Sequence, residues 1–368
     1  MLVVAIDWSG EKSGGRGEIA TAVAERGRLQ TILTGLSRHG VADWLIQQRA
    51  QLEEDFGVAE MVVGFDFAFS FPQWFLGEGS LSGPPQLWAD MAEREDGWLA
   101  GQAPWPFWGR GGTPKRIELE AERAFRTTER DAALQQTTAP KSIFQLVGSG
   151  QVGPGSIRGM PILHRLREAG FSVWPFDEAR WPLVIELYPR LLTGEVNKRS
   201  QASREAHLPL FGRQPPEMII EAAATEHAFD AACSALVMNR FLDEIMDLGP
   251  EEEPYLAEGK IWAPQSPGFH PGQPLPAYPE PTLPEGPFVF VYPDHETDDG
   301  PFDGRLASPI ETEGVPGAVA LNNEGSPRVL RVLRQTGSLL YTADGLRIEL
   351  VPLPGRDQRG RLYKLSDA

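Results

Sequence analysis

LVVAID (Leu2–Asp7) and MVVGFD (Met61–Asp66) are two apolar runs, each closed by an aspartate. Runs of this length and make-up predict strands buried on both faces. Between them, GEIATAVA (17–24) and LQTILTGL (29–36) are shorter β-type runs separated by a polar turn. Val41–Phe56 predicts a helix, with Trp44, Leu45, Leu52 and Phe56 near helical spacing and Gly57 as its stop. The order strand, strand, strand, helix, strand makes a mixed sheet with the fourth strand beside and parallel to the first. Asp7 and Asp66 are then expected side by side at the carboxyl edge, where ligand sites of α/β sheets form.

Further along, Phe67 to Pro182 is long and irregular, with the aromatic clusters AFSFPQWF and QAPWPFWGRGG. It includes a charged helical stretch over Arg116–Leu134, a Gly-rich loop over Gly148–Gly159 and a helix over Pro161–Ala169 that stops at Gly170. Leu183–Leu187 predicts the fifth strand and carries Glu186; Glu226–Met246 predicts a helix with Phe229, Cys233, Leu236 and Val237 among its apolar positions. Eleven of the 33 prolines fall between Gly249 and Pro287, a density that suits an extended connector. The expected organisation is an α/β domain over 1–246, a Pro-rich connector over 247–287 and a small β-rich module over 288–368.

The chain has 368 residues, 41% hydrophobic and 23% charged, a balance suited to a soluble globular protein. No apolar stretch approaches the roughly 20 residues of a membrane-spanning helix. The N-terminus lacks the basic start of a signal peptide, and the single cysteine, Cys233, makes neither an internal disulfide nor a multi-cysteine zinc site. A cytoplasmic location with no membrane contact is the expectation. The net charge is −17, from 34 basic and 51 acidic residues, so the global field does not steer the chain to nucleic acid. Residues 241–368 carry −11 of it, whereas Trp105–Arg167 holds ten basic against five acidic residues.

Asp7, Asp66 and Glu186 close or nearly close apolar strands, and Asp230 lies inside an otherwise apolar helix face. An acid so placed is costly unless paired or bound to a cation. A single one is as often structural; several together point to a site. Crowded carboxylates suit a hard divalent cation, and Mg2+ and Mn2+ prefer oxygen ligands.

AIDWSG, GFDFAFSFP, PFWGR, FQLVGSGQVGPGSIRGM, VWPFD, VIELYPRLLTG, EHAFDAACSAL and EGKIW together resemble an uncharacterised family described as predicted nucleases with an RNase H-like fold, domain-of-unknown-function family 429. The resemblance covers roughly residues 1–265. It implies an RNase H-like mixed sheet with flanking helices, a long insertion between strands 4 and 5, and acids on strands 1 and 4 and the final helix. By that resemblance Asp7, Asp66, Glu186 and Asp230 are catalytic and metal-binding, Mg2+ or Mn2+ is the cofactor, and the reaction is two-metal hydrolysis of a phosphodiester. Glu226, one turn before Asp230, is either a further acid of the site or, as favoured here, a solvated first-turn residue.

GSGQVG (148–153) matches the dinucleotide fingerprint by letter, but that fingerprint runs straight into a helix, and here Pro154 and Gly155 follow. An anion cradle flanked by Lys141, Ser142, Ser156 and Arg158 is the expected alternative, beside a plain structural loop. Ser9 joins these as a candidate substrate-binding residue, because Asp7-Trp8-Ser9-Gly10 faintly resembles the first phosphate loop of sugar kinases and actin-like ATPases. Arg110, Lys115 and Arg116 follow the aromatic PWPFW segment, a combination that suits a single strand of nucleic acid, although such aromatics are more often core. The six histidines, His39, His164, His207, His227, His270 and His295, show no zinc-type spacing.

The leading function is metal-dependent hydrolysis of a nucleic acid or nucleotide. A non-catalytic nucleotide- or nucleic-acid-binding protein of the same fold is the alternative. An ATP-dependent phosphotransferase of the actin-like or sugar-kinase class ranks third, because the duplicated domain and second phosphate loop are missing from the sequence.

Overall fold

The computed structural model describes residues 1–12, 17–25, 27–78, 83–134, 141–147 and 152–276, and beyond these the strand segments 288–293, 304–305, 318–323, 326–336, 339–342, 347–357 and 360–366. Two compact units divide the chain, Met1–Tyr278 and Pro279–Ala368.

In the first unit, β1 (Leu2–Asp7), β2 (Ala20–Glu25), β3 (Arg28–Thr34), α1 (Arg38–Phe56) and β4 (Met61–Phe65) follow in the expected order. Next come α2 (Gln73–Glu78), α3 (Gln86–Gly97), α4 (Ala121–Ala124), α5 (Thr127–Leu134), α6 (Val152–Glu168), β5 (Ser172–Val173) and β6 (Leu183–Glu186). The unit continues with α7 (Pro189–Thr193), α8 (Gln201–His207), α9 (Pro216–Ala223), α10 (Glu226–Arg240), α11 (Leu242–Met246) and α12 (Tyr255–Glu258). The six strands form one mixed sheet in the order β3-β2-β1-β4-β6-β5. β2 is antiparallel to β1 and β3, while β1, β4, β6 and β5 run parallel. The fold is therefore α/β. Among the described residues, no helix is long and apolar enough to cross a membrane.

Side chains leave alternate faces of a strand, so each central strand feeds two cores. Val4, Ile6, Val63, Phe65 and Val184 face one core, shared with residues of α1, α3 and α6. Val3, Ala5, Val62, Ile185 and Leu187 face the other, shared with α10. α10 starts at Thr225, whose hydroxyl accepts from the Ala228 N–H at 2.9 Å. Buried alanines line both sides of its contact with the sheet: Ala228, Ala231, Ala232 and Ala235 on the helix, Ala5, Ala20, Ala22 and Ala24 on the strands. Small residues on both surfaces let the helix backbone come close to β1 and β2.

Four expectations change. First, α6 begins at Val152, nine residues before the expected start, so part of the supposed loop is helix. Pro154 fits there because first-turn N–H groups have no intrahelical partner. Gly159 serves close packing: a Cβ would stand 2.4 Å from the Phe67 ring. Second, the charged stretch over Arg116–Leu134 contains two short helices, α4 and α5, because the Glu129 carboxylate accepts the Arg126 N–H at 2.7 Å and restarts the helix there. Third, the helix over Glu226–Met246 breaks at Phe241 into α10 and α11. Fourth, the connector is largely part of the first unit. Trp262 is 3% exposed and its N–H donates to Glu186 O at 2.8 Å, and the Leu275 N–H donates to Leu210 O at 2.8 Å. The expected boundary at 246 therefore moves about thirty residues on, to Tyr278.

In the second unit the described segments are β7 (Phe288–Pro293), β8 (Gly304–Arg305), β9 (Ala318–Asn323), β10 (Ser326–Thr336), β11 (Leu339–Thr342), β12 (Arg347–Asp357) and β13 (Gly360–Ser366). Their pairings are antiparallel, in the order β13-β12-β11-β10-β9-β7-β8 with β13 also paired to β7.

Candidate functional site

β1 and β4 pair with Ile6 opposite Phe65, and the Asp66 N–H donates to Ile6 O at 3.1 Å. Asp7 and Asp66 are thus one step beyond the same register position. Both carboxylates leave the face that α10 covers. On α10, His227 and Asp230 are three residues apart and share one side of the helix. The result is a group of three aspartates under the first turns of α10.

Two of the three have cationic partners. The Asp7 side chain, 6% exposed, has its Oδ2 2.5 Å from His227 Nδ1. Lys198 Nζ lies 2.5 Å from Asp230 Oδ1 and 2.7 Å from Oδ2. Asp66 is different: its carboxylate has no hydrogen-bond or ion-pair partner among the described residues. It borders a cavity of about 330 Å3 together with Tyr188, Arg190, Lys198 and Asp230.

Proton affinities follow from this crowding. Burial pushes the Asp7 carboxyl up, and the hydrogen bond and charge of His227 hold it back. Asp66 is pushed well above the usual carboxylate range by burial and by the negative charges of Asp7 and Asp230. Burial raises Asp230 to about 6 despite Lys198. His227 is raised chiefly by its hydrogen bond to Asp7. Burial and the Asp66 charge raise Tyr188, which keeps its phenol protonated.

Glu186 does not join this group, contrary to its expected role as a metal ligand. β6 pairs with β4 so that Glu186 stands opposite Phe65, one residue out of step with Asp66. With a period of two, that step turns its side chain to the other face. There both of its oxygens meet Arg126, one of them at 2.9 Å from Nη1, and Oε2 also accepts the Phe69 N–H at 3.0 Å. Arg126 further donates to Glu129 Oε1 at 2.9 Å and to Glu258 O at 2.8 Å. Glu186 belongs to a buried ion-pair network that ties the insertion to the sheet. Glu226 is exposed in the first turn of α10, and its charge adds to those that raise Asp7.

Among the described residues the expected anion cradle does not assemble. The Ser156 hydroxyl is fully buried, donating to Val152 O at 3.0 Å and accepting the Ala68 N–H at 3.1 Å. The Ser142 hydroxyl donates to Ala124 O at 2.8 Å. Lys141 is exposed, and residues 148–151 of the loop lie outside the described residues. Arg158 Nη1 donates to Glu11 O at 2.9 Å, and the Ser9 hydroxyl donates to Glu18 Oε2 at 3.0 Å and accepts the Glu11 N–H at 3.1 Å. Arg158 and Ser9 therefore shape the turn after β1, while the hydroxyls of Ser156 and Ser142 tie backbone of α6, the segment after β4 and α4. Arg110 Nε donates to Leu146 O at 3.2 Å, leaving Lys115 and Arg116 exposed.

Sequence reasoning missed His227, Lys198 and Tyr188. His227 carried a signal, since it precedes Asp230 by three positions on a helix that covers the strand ends. Tyr188 precedes the first residue of α7 and Lys198 sits in the turn after that helix, and their approach to the acids is set by tertiary structure alone. Among the described residues, no group of three or more His, Cys, Asp or Glu side chains is arranged to hold a metal ion. No known protein family, curated protein or solved structure matches the chain.

Proposed function

We propose that this protein hydrolyses phosphodiester bonds in a nucleic acid or nucleotide, with Mg2+ or Mn2+ held by Asp7, Asp66 and Asp230. The observation that carries the reading is the placement of Asp7 and Asp66 at matching ends of adjacent parallel strands, with Asp230 above them on α10. The strand order β3-β2-β1-β4 with β2 reversed supports an RNase H-like fold, as does the position of the acids on strands 1 and 4 and a late helix. The sequence resemblance to the predicted nucleases points the same way.

Three carboxylates are the donors a hard cation prefers, and Asp66 has no protein partner to give up. The donor types suit such a cation, and holding it would require Asp7 and Asp230 to be released from His227 and Lys198. When bound, the cation would lower the pKa of water and offset charge on the leaving oxygen. The chain's own groups supply the remainder. Lys198 and Arg190 present positive charge to a phosphate entering the cavity. Tyr188, protonated at neutral pH, is a donor beside Asp66. His227 holds a proton between Nδ1 and Asp7 Oδ2, and so fixes the orientation of that carboxylate. The strong negative charge of the chain favours a nucleotide or short single strand over long duplex DNA.

The pairs Lys198–Asp230 and His227–Asp7 favour a second reading, a nucleotide-binding protein of the same fold in which these cations have taken over the metal's role. Hydrolysis of a phosphodiester dye and of short DNA and RNA strands in Mn2+ separates the two. The expected result is turnover that falls at least about 100-fold in Asp66→Asn. Absence of turnover on all three substrates, together with no Mn2+ shift of the unfolding midpoint, would leave only the binding reading.

A further inference from the structure

A second cavity, of about 370 Å3, lies in the insertion, with Trp74, Trp98 and Trp105 among its walls. None of the three acids lines it. Its volume falls in the range of small-ligand pockets. Trp105 is 55% exposed, which is unusual for the largest apolar side chain. Its ring is nevertheless held: it lies 5.7 Å from the Trp74 ring, and the Arg123 guanidinium sits 5.4 Å from it and 4.0 Å from Trp74. Trp74 is fixed in turn by its Nε1–H, which donates to Arg123 O at 3.0 Å. A supported aromatic surface therefore faces solvent.

The polar side chains around the cavity divide into used and unused. Glu78 is bound to Arg123 at 2.8 Å. Arg94 and Gln102 have no side-chain hydrogen-bond or ion-pair partner among the described residues. A cation and an amide beside an open tryptophan match one chemistry: a planar aromatic ring that carries an anionic group. The ring stacks on the tryptophan, the amide meets its polar edge and the guanidinium takes the anion. A purely apolar ligand would leave Arg94 unused, and a cationic one would be repelled by it.

We infer that this cavity binds a nucleotide, the base against Trp105 and the phosphate on Arg94. The source is either a free mononucleotide or one residue of a single strand, and both present the same groups. The inference does not rest on hydrolysis at the aspartates, and its test is run without metal.

Calorimetric titration of the full chain in EDTA, with AMP, adenosine, ribose 5-phosphate and a hexamer of deoxyadenosine nucleotides, provides the test. AMP is expected to bind more tightly than adenosine or ribose 5-phosphate. Trp105→Ala should weaken AMP about tenfold or more, and Trp105→Phe should restore part of the loss. Arg94→Gln should bring AMP down to the affinity of adenosine while leaving adenosine unchanged. Because Trp105 and Arg94 are exposed, both variants are expected to keep the wild-type unfolding midpoint. A hexamer that binds much more tightly than AMP assigns the site to a strand, and equal affinities assign it to free nucleotide. No measurable heat with either AMP or the hexamer, or an affinity in Trp105→Ala within twofold of wild type, overturns the inference.

Discussion

At the scale of single residues, the aspartate group behaves as stored repulsion. Burial raises Asp230 to about 6, Asp66 is pushed well above the usual carboxylate range, and the hydrogen bond to Asp7 raises His227. Between its ordinary and its shifted value, each group holds more protons in the native chain than in the unfolded one. Stability therefore falls as pH rises through each window, which for Asp230 runs from about 4 to about 6 and for His227 opens at 6.5. In EDTA, the unfolding midpoint should drop steadily from pH 5 to pH 8. Asp66→Asn should flatten that slope and raise stability at neutral pH by roughly 1 kcal/mol, a modest figure because its carboxylate borders the solvent of the cavity. A level midpoint across this range in the wild type would mean that the carboxylates are not crowded. Lys198→Met acts in the opposite sense, leaving Asp230 buried without its counter-charge. It should cost about 2–3 kcal/mol without metal, measured by urea unfolding. If a divalent cation shares this site, Mn2+ should recover more stability in Lys198→Met than in wild type, because an internal competitor has gone.

At the scale of elements, register decides which acids meet. The pairing of Asp7 with Asp66 was legible in the sequence because both apolar runs have equal length and end in the same residue type. Glu186 has a similar setting, yet its strand docks one step out of phase, and Leu187 takes the position that would have faced the site. Nothing in LVIELYP states that offset, which comes from packing against β4 and α10. The glycines of α6 misled for a related reason. In a sequence they mark turns, whereas here they admit Phe67 and the β1 turn against a helix. Two substitutions test this account. Ser156→Ala should cost about 1–3 kcal/mol, since it strips the buried Ala68 N–H of its acceptor, and should leave anion binding unchanged. Weaker sulfate binding with unaltered stability would return Ser156 to the list of substrate contacts. Gly64→Ala places a Cβ 2.3 Å from Leu187 Cδ1 and 2.8 Å from Met238 Sδ. The overlap falls between β4 and α10, so roughly 1–3 kcal/mol should be lost, and the Asp66 site should be disturbed with it.

At the scale of the molecule, proline density suggested a linker where the chain instead closes its core. A proline removes a donor but leaves an acceptor and a rigid surface, so a Pro-rich segment can lie along a folded unit without adding strands to it. Residues 247–276 do so at several points. Glu258 is 5% exposed and its carboxylate accepts the Gln73 N–H at 2.8 Å and the Thr127 N–H at 2.6 Å, the starts of α2 and α5. Its carbonyl also accepts from the Arg126 side chain, the centre of the network that holds Glu186. A chain cut at 246 would lose these acceptors along with Trp262, leaving the buried Arg126 without the Glu258 carbonyl and Glu186 O without the Trp262 N–H. Removing such partners is costly, because the groups left behind are already desolvated. A fragment of residues 1–278 should therefore unfold in one cooperative step, with its denaturant slope in proportion to its length. A fragment ending at 246 should unfold earlier and less cooperatively, and bind hydrophobic dye. A 1–246 fragment as cooperative as 1–278 would show that the segment is dispensable after all, and would return the boundary to the end of α11.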